Sequence, residues 1–349
     1  MEEKVMKKIL ALFLAIMMIF SLAACGTSEE APADTSTPDQ DVEPITLKFS
    51  YANNSETTAG TTALAWAEAI TEATEGRVQI DVYPNGQLYS NLTEEIEAVE
   101  LGLLDMALVD ASLLVDYLPE LNLLCQPMLF DGFESWEHIM SSDIVDGIRQ
   151  HVGENTNMRI LGFVFMGFRN CIITKEINSM EDCKGIIIRS PETDVYLNTL
   201  SRLNFTPTPL SFSEIYTAME SGVVQGTETT YEYMYTQSYG EVAKQLIESC
   251  HIASNNCVIM NNGTWDKISA EDQNVIIELY DEYMWSLNSK INDESEGWKQ
   301  KLIDEYDCNV YYYTDEEKAI ILERFQEYWN ESASQHGFED LLTQVLELR

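Results

Sequence analysis

"ITLKFSYANNSETTAGTTALAWAEAITEATEGRVQIDVYPNG", residues 45–86, decides the fold class. Its first seven residues alternate apolar and polar as a strand does, and the pattern breaks at Asn53-Asn54. Ala63, Ala67 and Ile70 then recur at helical spacing, and Gly76 closes that segment. "RVQIDVYP" alternates again and stops at Pro84-Asn85-Gly86. "NLTEEIEAVELGLL" (91–104) reads as a helix and "DMALVDA" (105–111) as a strand ending at Asp110. Strand–helix–strand alternation of this kind predicts an α/β domain with a mostly parallel sheet.

The middle of the chain repeats the pattern. "MRILGFVFMGF" (158–168) and "CIITK" (171–175) read as two strands, and "KGIIIRS" (184–190) as a strand buried on both faces. "PETDVYLNTLSRLN" (191–204) and "FSEIYTAMESG" (212–222) read as helices, and "VVQGTETT" (223–230) as a strand running into a loop. Ser269 with Asp272 forms a candidate capping box. From there an unbroken helical period runs to Tyr306, which at 1.5 Å per residue is over ~50 Å and too long for one small domain. The expectation is an α/β fold of two lobes with this helix lying across both. Lobe I takes residues 45–166 plus about 255–290, and lobe II residues 167–254 plus about 291–349.

The N-terminus carries an address. Lys4, Lys7 and Lys8 precede an apolar run from Ile9 to Ala24, and the segment ends Leu22-Ala23-Ala24-Cys25. This pattern predicts a secretory signal over residues 1–24, starting at Met1 or Met6, with Cys25 the lipidated first residue of the mature chain. An ordinary signal peptide with an incidental Cys25 is the alternative. Residues 26–44 are polar, acidic and proline-bearing, and read as a disordered tether with a span of roughly 25 Å. The domain is therefore expected on the extracytoplasmic face of a bacterial membrane.

Twenty Lys and Arg stand against 59 Asp and Glu, a formal charge of −39. Loss of residues 1–24 removes three lysines and two glutamates and leaves the chain one unit more negative. Such a surface repels nucleic acid and anionic lipid, and opposes anionic ligands outside a Debye length of about 8 Å. Beyond Cys25, six cysteines (125, 171, 183, 250, 257 and 308) match no metal or redox spacing, and the sequence leaves their pairing open.

The tools of an exported enzyme are absent from the motif pattern. The four histidines form no HExxH, and no GxSxG, SxxK or phosphate-cradling glycine loop occurs. No cofactor or metal is implied. Only eight arginines are present, yet Arg169 and Arg189 both sit on strands that read as buried. A guanidinium keeps its charge, so each is either neutralised by an internal carboxylate or held ready for an outside anion.

Four stretches resemble one family, the solute-binding proteins of tripartite ATP-independent periplasmic (TRAP) transporters. They are "YPNGQL" (83–88), "EAVELGLLDMAL" (97–108), "MEDCKGIIIRSPE" (180–192) and "TPTPLSFSEIYTAMESGVVQGTET" (206–229). The resemblance implies that Arg189 is the principal carboxylate-binding arginine and Arg169 a supporting one. It implies an aromatic wall at Phe212 and polar contacts at Asp110 and at Asn53 or Asn54. It also implies a two-lobed, periplasmic-binding-protein-like fold, an organic anion as ligand and the membrane subunits of a TRAP transporter as partners.

One departure bears on the ligand. Where the family often reads Asp-Gly-Gln-Glu-Asn, this chain reads Gln225-Gly226-Thr227-Glu228-Thr229, so Thr229 offers a hydroxyl in place of an amide. Tyr231 and Tyr233 follow closely. A ligand with more apolar or ring surface than a short dicarboxylate is expected. Two rival readings share these residues: a sensor handing ligand occupancy to a receptor, and a lipid-anchored hydrolase.

Overall fold

The computed structural model of the protein describes residues 43–349. The signal segment, Cys25 and nearly all of the tether lie outside the described residues. Among those described, no helix is long and apolar enough to cross a membrane.

Nine strands form one sheet: β1 (Ile45–Tyr51), β2 (Val78–Tyr83), β3 (Met106–Asp110), β4 (Met158–Ile173), β5 (Ile187–Ser190), β6 (Thr206–Pro209), β7 (Gly226–Thr229), β8 (Gln245–Asn261) and β9 (Asn309–Tyr312). Their order is β2-β1-β3-β8-β4-β7-β5-β6, with β9 pairing β8. β1, β2 and β3 are mutually parallel where they pair, as are β5, β6 and β7. Between these two parallel groups run β4 and β8, antiparallel to each other and to their outer neighbours.

Local chemistry sets the elements of the first group. Thr57 caps the helix Thr58–Ala73 by accepting from the Gly60 amide, and Asn91 caps Leu92–Glu100 in the same way through Thr93 and Glu94. The helix Thr58–Ala73 buries Ala59, Ala63, Trp66, Ala67 and Ile70, with Trp66 edge-on to Phe49 of β1 and to Tyr280. Small residues on that face let it lie close to the sheet, and Trp66 fills the remaining space.

Three features differ from the sequence reading. The two expected strands around residue 170 are one strand, β4, bent by register shifts against β8 at Ile160/Gly162, Phe165/Phe168 and Arg169/Cys171. Gly167 sits in the second shift at φ +104°, a conformation that a side chain rarely adopts. β8 was not anticipated, although it is the longest strand. The expected continuous helix is present in length but not in kind. It runs as α-helix over Ala270–Leu279, as a π-turn over Tyr280–Trp285 and again as α-helix over Leu287–Tyr306.

The π-turn has a packing cause. It places the Tyr280 ring over Gly162, where an added Cβ would come within 2.2 Å of Cε1, and lets the hydroxyl donate to the Phe163 carbonyl at 2.9 Å. Asn288, one turn further, accepts from the Phe165 amide at 2.8 Å. The helix is thereby fastened to β4 along its length. Ser269 does cap it by accepting from the Asp272 amide, but in place of the reciprocal amide bond the Asp272 carboxylate accepts from the Ser269 hydroxyl at 2.9 Å and from Arg77 at 2.8 Å.

The C-terminal helices return across the molecule. Asp315–His336 packs on Asp194–Arg202, and Glu339–Leu348 packs on Phe133–Met140. Trp329 on the first of these donates to the Pro127 carbonyl at 2.7 Å. All six described cysteines are free.

Candidate functional site

Strand ends build a cleft in the middle of the sheet. β1 runs out at Tyr51 into Ala52-Asn53 and β3 ends at Asp110 on one side, and β5 and β7 end at Arg189-Ser190 and Thr229 on the other. Open parallel sheets present ligand-contacting groups at their carboxyl ends, and here two such groups face each other. The inner part, about 620 Å³ counting its open mouth, is lined by Arg169, Arg189, Asp110, Asn53, Phe212, Thr229 and Tyr233. Ser254 and Asn256 of β8 and Leu92, Leu108 and Leu113 complete it. An outer part of about 710 Å³ shares Arg189 and Phe212 and reaches Asn85, Ser90 and Asn91.

The two arginines have opposite situations. Arg169 on β4 presents its fork to Glu228 of β7, with Nε to Oε2 at 2.5 Å and Nη2 to Oε1 at 2.6 Å. Nη2 also donates to the Glu228 carbonyl and Nη1 to Ser254 Oγ, and the guanidinium lies 4.7 Å over the Tyr196 ring. Glu228 has no exposed surface and further meets His251 Nε2 at 3.1 Å, whose Nδ1 is 2.8 Å from Ser249 Oγ. Burial alone would raise the Glu228 carboxyl, but Arg169 and His251 outweigh it and hold the group down at about 2. Arg169 is thus neutralised from within.

Arg189 is buried to a similar degree, yet only its Nε is used, donating to the Leu210 carbonyl at 2.9 Å. Among the described residues no carboxylate reaches it within salt-bridge distance, and Nη1 and Nη2 have no hydrogen-bond partner. Burial pushes the guanidinium down to about 10 against the pull of Glu228, with Arg169 pushing the same way as burial. A fork of donors with its outer edge free, in a low-dielectric cleft, is suited to a carboxylate.

A model of the bacterial extracellular solute-binding protein family 7 matches residues 49–336. The chain belongs to that family. The C4-dicarboxylate-binding periplasmic protein of Rhodobacter capsulatus is 28% identical over 303 residues, 86% of this chain and 90% of that protein. The sialic acid-binding periplasmic protein of Vibrio cholerae is 29% identical over 210 residues, 60% of this chain and 65% of that protein. Two TRAP periplasmic solute-binding proteins illustrate the shared two-lobed fold. That of Chromohalobacter salexigens, solved with bound D-glucuronate, superposes with a TM-score of 0.81 at 22% identity, covering 87% of this chain and all of that one. That of Sulfurospirillum deleyianum, solved with bound succinate, gives 0.80 at 24%, covering 87% and 99%.

Within this family 7 chain, most of the residues singled out in the sequence converge. Arg169, Arg189, Asp110, Asn53, Phe212, Thr229 and Tyr233 share the inner cavity. Phe212 packs edge-on to Tyr233 with ring centroids 5.7 Å apart. Asp110 accepts from the Ser112 amide at 2.9 Å and from the Tyr196 hydroxyl at 3.1 Å. Asn54 and Tyr231 are elsewhere. Asn54 closes the turn into the first helix by accepting from the Glu56 amide, and Tyr231 donates to Glu248 on the far side of its short helix.

Sequence reasoning missed Glu228, Tyr196, Ser254 and Asn256. Glu228 is one acid among 59 and carries no distinguishing neighbour pattern except its place between Thr227 and Thr229 on a strand. Ser254 and Asn256 lie on the strand that was not anticipated.

Proposed function

We propose that this family 7 protein captures an organic anion through one carboxylate at Arg189 and delivers it to the membrane subunits of a TRAP transporter. The observation that carries the reading is the buried Arg189 fork, whose two terminal nitrogens find no partner among the described residues at the centre of the cleft. Its relatives named for C4-dicarboxylate and sialic acid, and structures with bound glucuronate and succinate, support a carboxylate as the common element.

In this reading the ligand's carboxylate meets Arg189, Phe212 and Tyr233 cover an apolar or ring face, and Asp110, Asn53 and Thr229 address its polar groups. Arg169, fixed by Glu228, supports the site. Residues 45–166 with about 255–290 act as one lobe and 167–254 with about 291–349 as the other, closing about the bends in β4. Thr58 already bridges the two through Glu232 and Glu294 at 2.8–2.9 Å. The helix Glu339–Leu348, packed on Phe133–Met140, ties the end of the second lobe to the first. The protein is not an enzyme and returns its ligand unchanged. It is exported by residues 1–24 and anchored at Cys25, so that Cys25→Ala should move it from the membrane fraction to the medium.

The test is calorimetric titration of the ligand-stripped protein with a panel of organic acids. One acid should bind wild type, and Arg189→Ala should weaken it by ~3–5 kcal/mol, the usual effect of breaking a buried charge pair. A loss under ~1 kcal/mol would make Arg189 structural.

A further inference from the structure

The polar groups of the inner cleft differ in kind from one wall to the other. On the cationic side only Arg189 has both terminal nitrogens without a partner, since Arg169 gives Nε and Nη2 to Glu228 and Nη1 to Ser254. One carboxylate lines the same space, Asp110, bonded to Ser112 and Tyr196, while Glu228 stands fully buried behind Arg169. Elsewhere in the lining, three buried atoms lack a well-formed hydrogen bond: Asn53 Nδ2 and the Tyr233 hydroxyl, which lie close enough to influence each other, and Ser112 Oγ. All three are neutral. Asn53 can only donate from that atom, while the two hydroxyls can donate and accept.

A second ligand carboxylate would meet neutral donors and the Asp110 charge, with no cation to neutralise it. A ligand hydroxyl meets complementary partners in every case, since it can accept from Asn53 and Tyr233 and donate to Asp110 or Ser112. We propose that the site selects hydroxy-monocarboxylates, taking one carboxylate at Arg189 and reading hydroxyl groups with Asn53, Ser112, Tyr233 and Asp110, and that it rejects dicarboxylates. This rests on the solute-binding reading above and narrows its ligand class. It also gives the Arg169–Glu228 pair a selective role: by consuming the second fork, Glu228 removes the cation that a dicarboxylate would need.

Matched acids test it by calorimetry on the ligand-stripped protein. Each trio holds a plain acid, a hydroxy-acid and a diacid of similar size: butyrate, 3-hydroxybutyrate and succinate; hexanoate, gluconate and glucarate; benzoate, 4-hydroxybenzoate and terephthalate. In the trio that binds tightest, the hydroxy-acid should exceed both others by ~100-fold, as expected where buried polar groups are left unpaired by an analogue. Tyr233→Phe should lower affinity for the hydroxy-acid by ~10-fold more than for the plain acid, and an equal loss for both counts against hydroxyl recognition by Tyr233. Glu228→Gln, which releases the Arg169 fork, should narrow the preference over the diacid by ~10-fold, and Asp110→Asn should act in the same direction if the first variant does not fold. A diacid that binds wild type as well as its hydroxy-acid partner overturns the proposal and leaves the solute-binding reading standing. A plain acid that equals its hydroxy-acid overturns it too. If no member of any trio binds, the reading of Arg189 as a carboxylate receptor fails, and the proposal with it.

Discussion

Replacing Arg189 by methionine should abolish ligand binding and make the ligand-free protein more stable. Methionine keeps most of the length and apolar volume of the arginine stem while removing the charge. The burial that pushes the Arg189 guanidinium from its ordinary value down to about 10 corresponds to a penalty of ~3 kcal/mol on the charged native state. That penalty is nearly unscreened, because the residue is only 5% exposed. Below pH 10 the group is charged in both folded and unfolded chains, so the whole penalty is present at neutral pH. Against it stands the bond from Nε to the Leu210 carbonyl, whose loss costs about 1 kcal/mol. The net expectation is a gain of ~2 kcal/mol, seen as a higher urea midpoint at unchanged slope. The protein must first be unfolded and refolded to strip any bound acid, which would stabilise wild type selectively. A ligand-free Arg189→Met that is less stable than wild type by ~1 kcal/mol or more would refute the argument, because it would mean that Arg189 is already satisfied by the fold.

Three further outcomes follow from other buried groups. Glu228→Gln should lose ~3–5 kcal/mol by leaving Arg169 buried without its partner, read from the same urea curves. Because the Glu228 carboxyl lies at about 2 when folded, its stabilisation is full above the unfolded value of 4.5 and is lost as pH falls toward 2, which a wild-type acid titration by circular dichroism should follow and the variant should not. Glu95 behaves in the opposite sense: it has no exposed surface, neither oxygen makes a well-formed hydrogen bond, and burial outweighs the weak pull of the nearby Ser50 hydroxyl and raises it to about 7. The unfolded chain therefore loses this proton first, stability falls as pH rises from 4.5 to about 7, and Glu95→Gln should be the more stable by ~3 kcal/mol above that window, with equal stability at pH 4 overturning nothing and equal stability at pH 8 refuting the burial argument. Gly162→Ala should cost ~1–3 kcal/mol, since its Cβ would strike the Tyr280 ring, and a neutral result in thermal melts would show that the π-turn yields easily.

What could be read from the sequence was whatever kept a regular period. The parallel segments around β1–β3 and β5 alternate or run apolar between turn residues, and Asp110 and Arg189, near the ends of two of them, line the cleft. β8 escaped because its polar residues point into the protein. In "QLIESCHIASNNCVIMN" (245–261), Ser249 and His251 serve Glu228, Ser254 serves Arg169, and Asn255 accepts from Trp136 at 2.6 Å and donates to the Leu124 carbonyl. A left-handed residue at Cys250, φ +42°, further breaks its alternation. Hydropathy reads such a strand as a loop, although it is buried nearly throughout. The helix after Ser269 kept its period in sequence, but the π-turn was set by a contact to Gly162 more than a hundred residues away, which no local pattern records. The two arginines looked alike for the same reason: which of them is free depends on Glu228, and only the fold says where that acid goes.

The position of β8 also governs how this protein can be made. Its carboxyl-terminal half lies between β3 and β4, so the β1–β3 group, residues 45–110, exposes a raw edge until residues 256–261 have left the ribosome. An emerging nascent chain has no complete N-terminal module to settle into and must wait for a pairing that closes a loop of about 150 residues, a slow step for a polypeptide. The whole described domain then condenses together, which makes it a poor candidate for being cut into halves that fold separately.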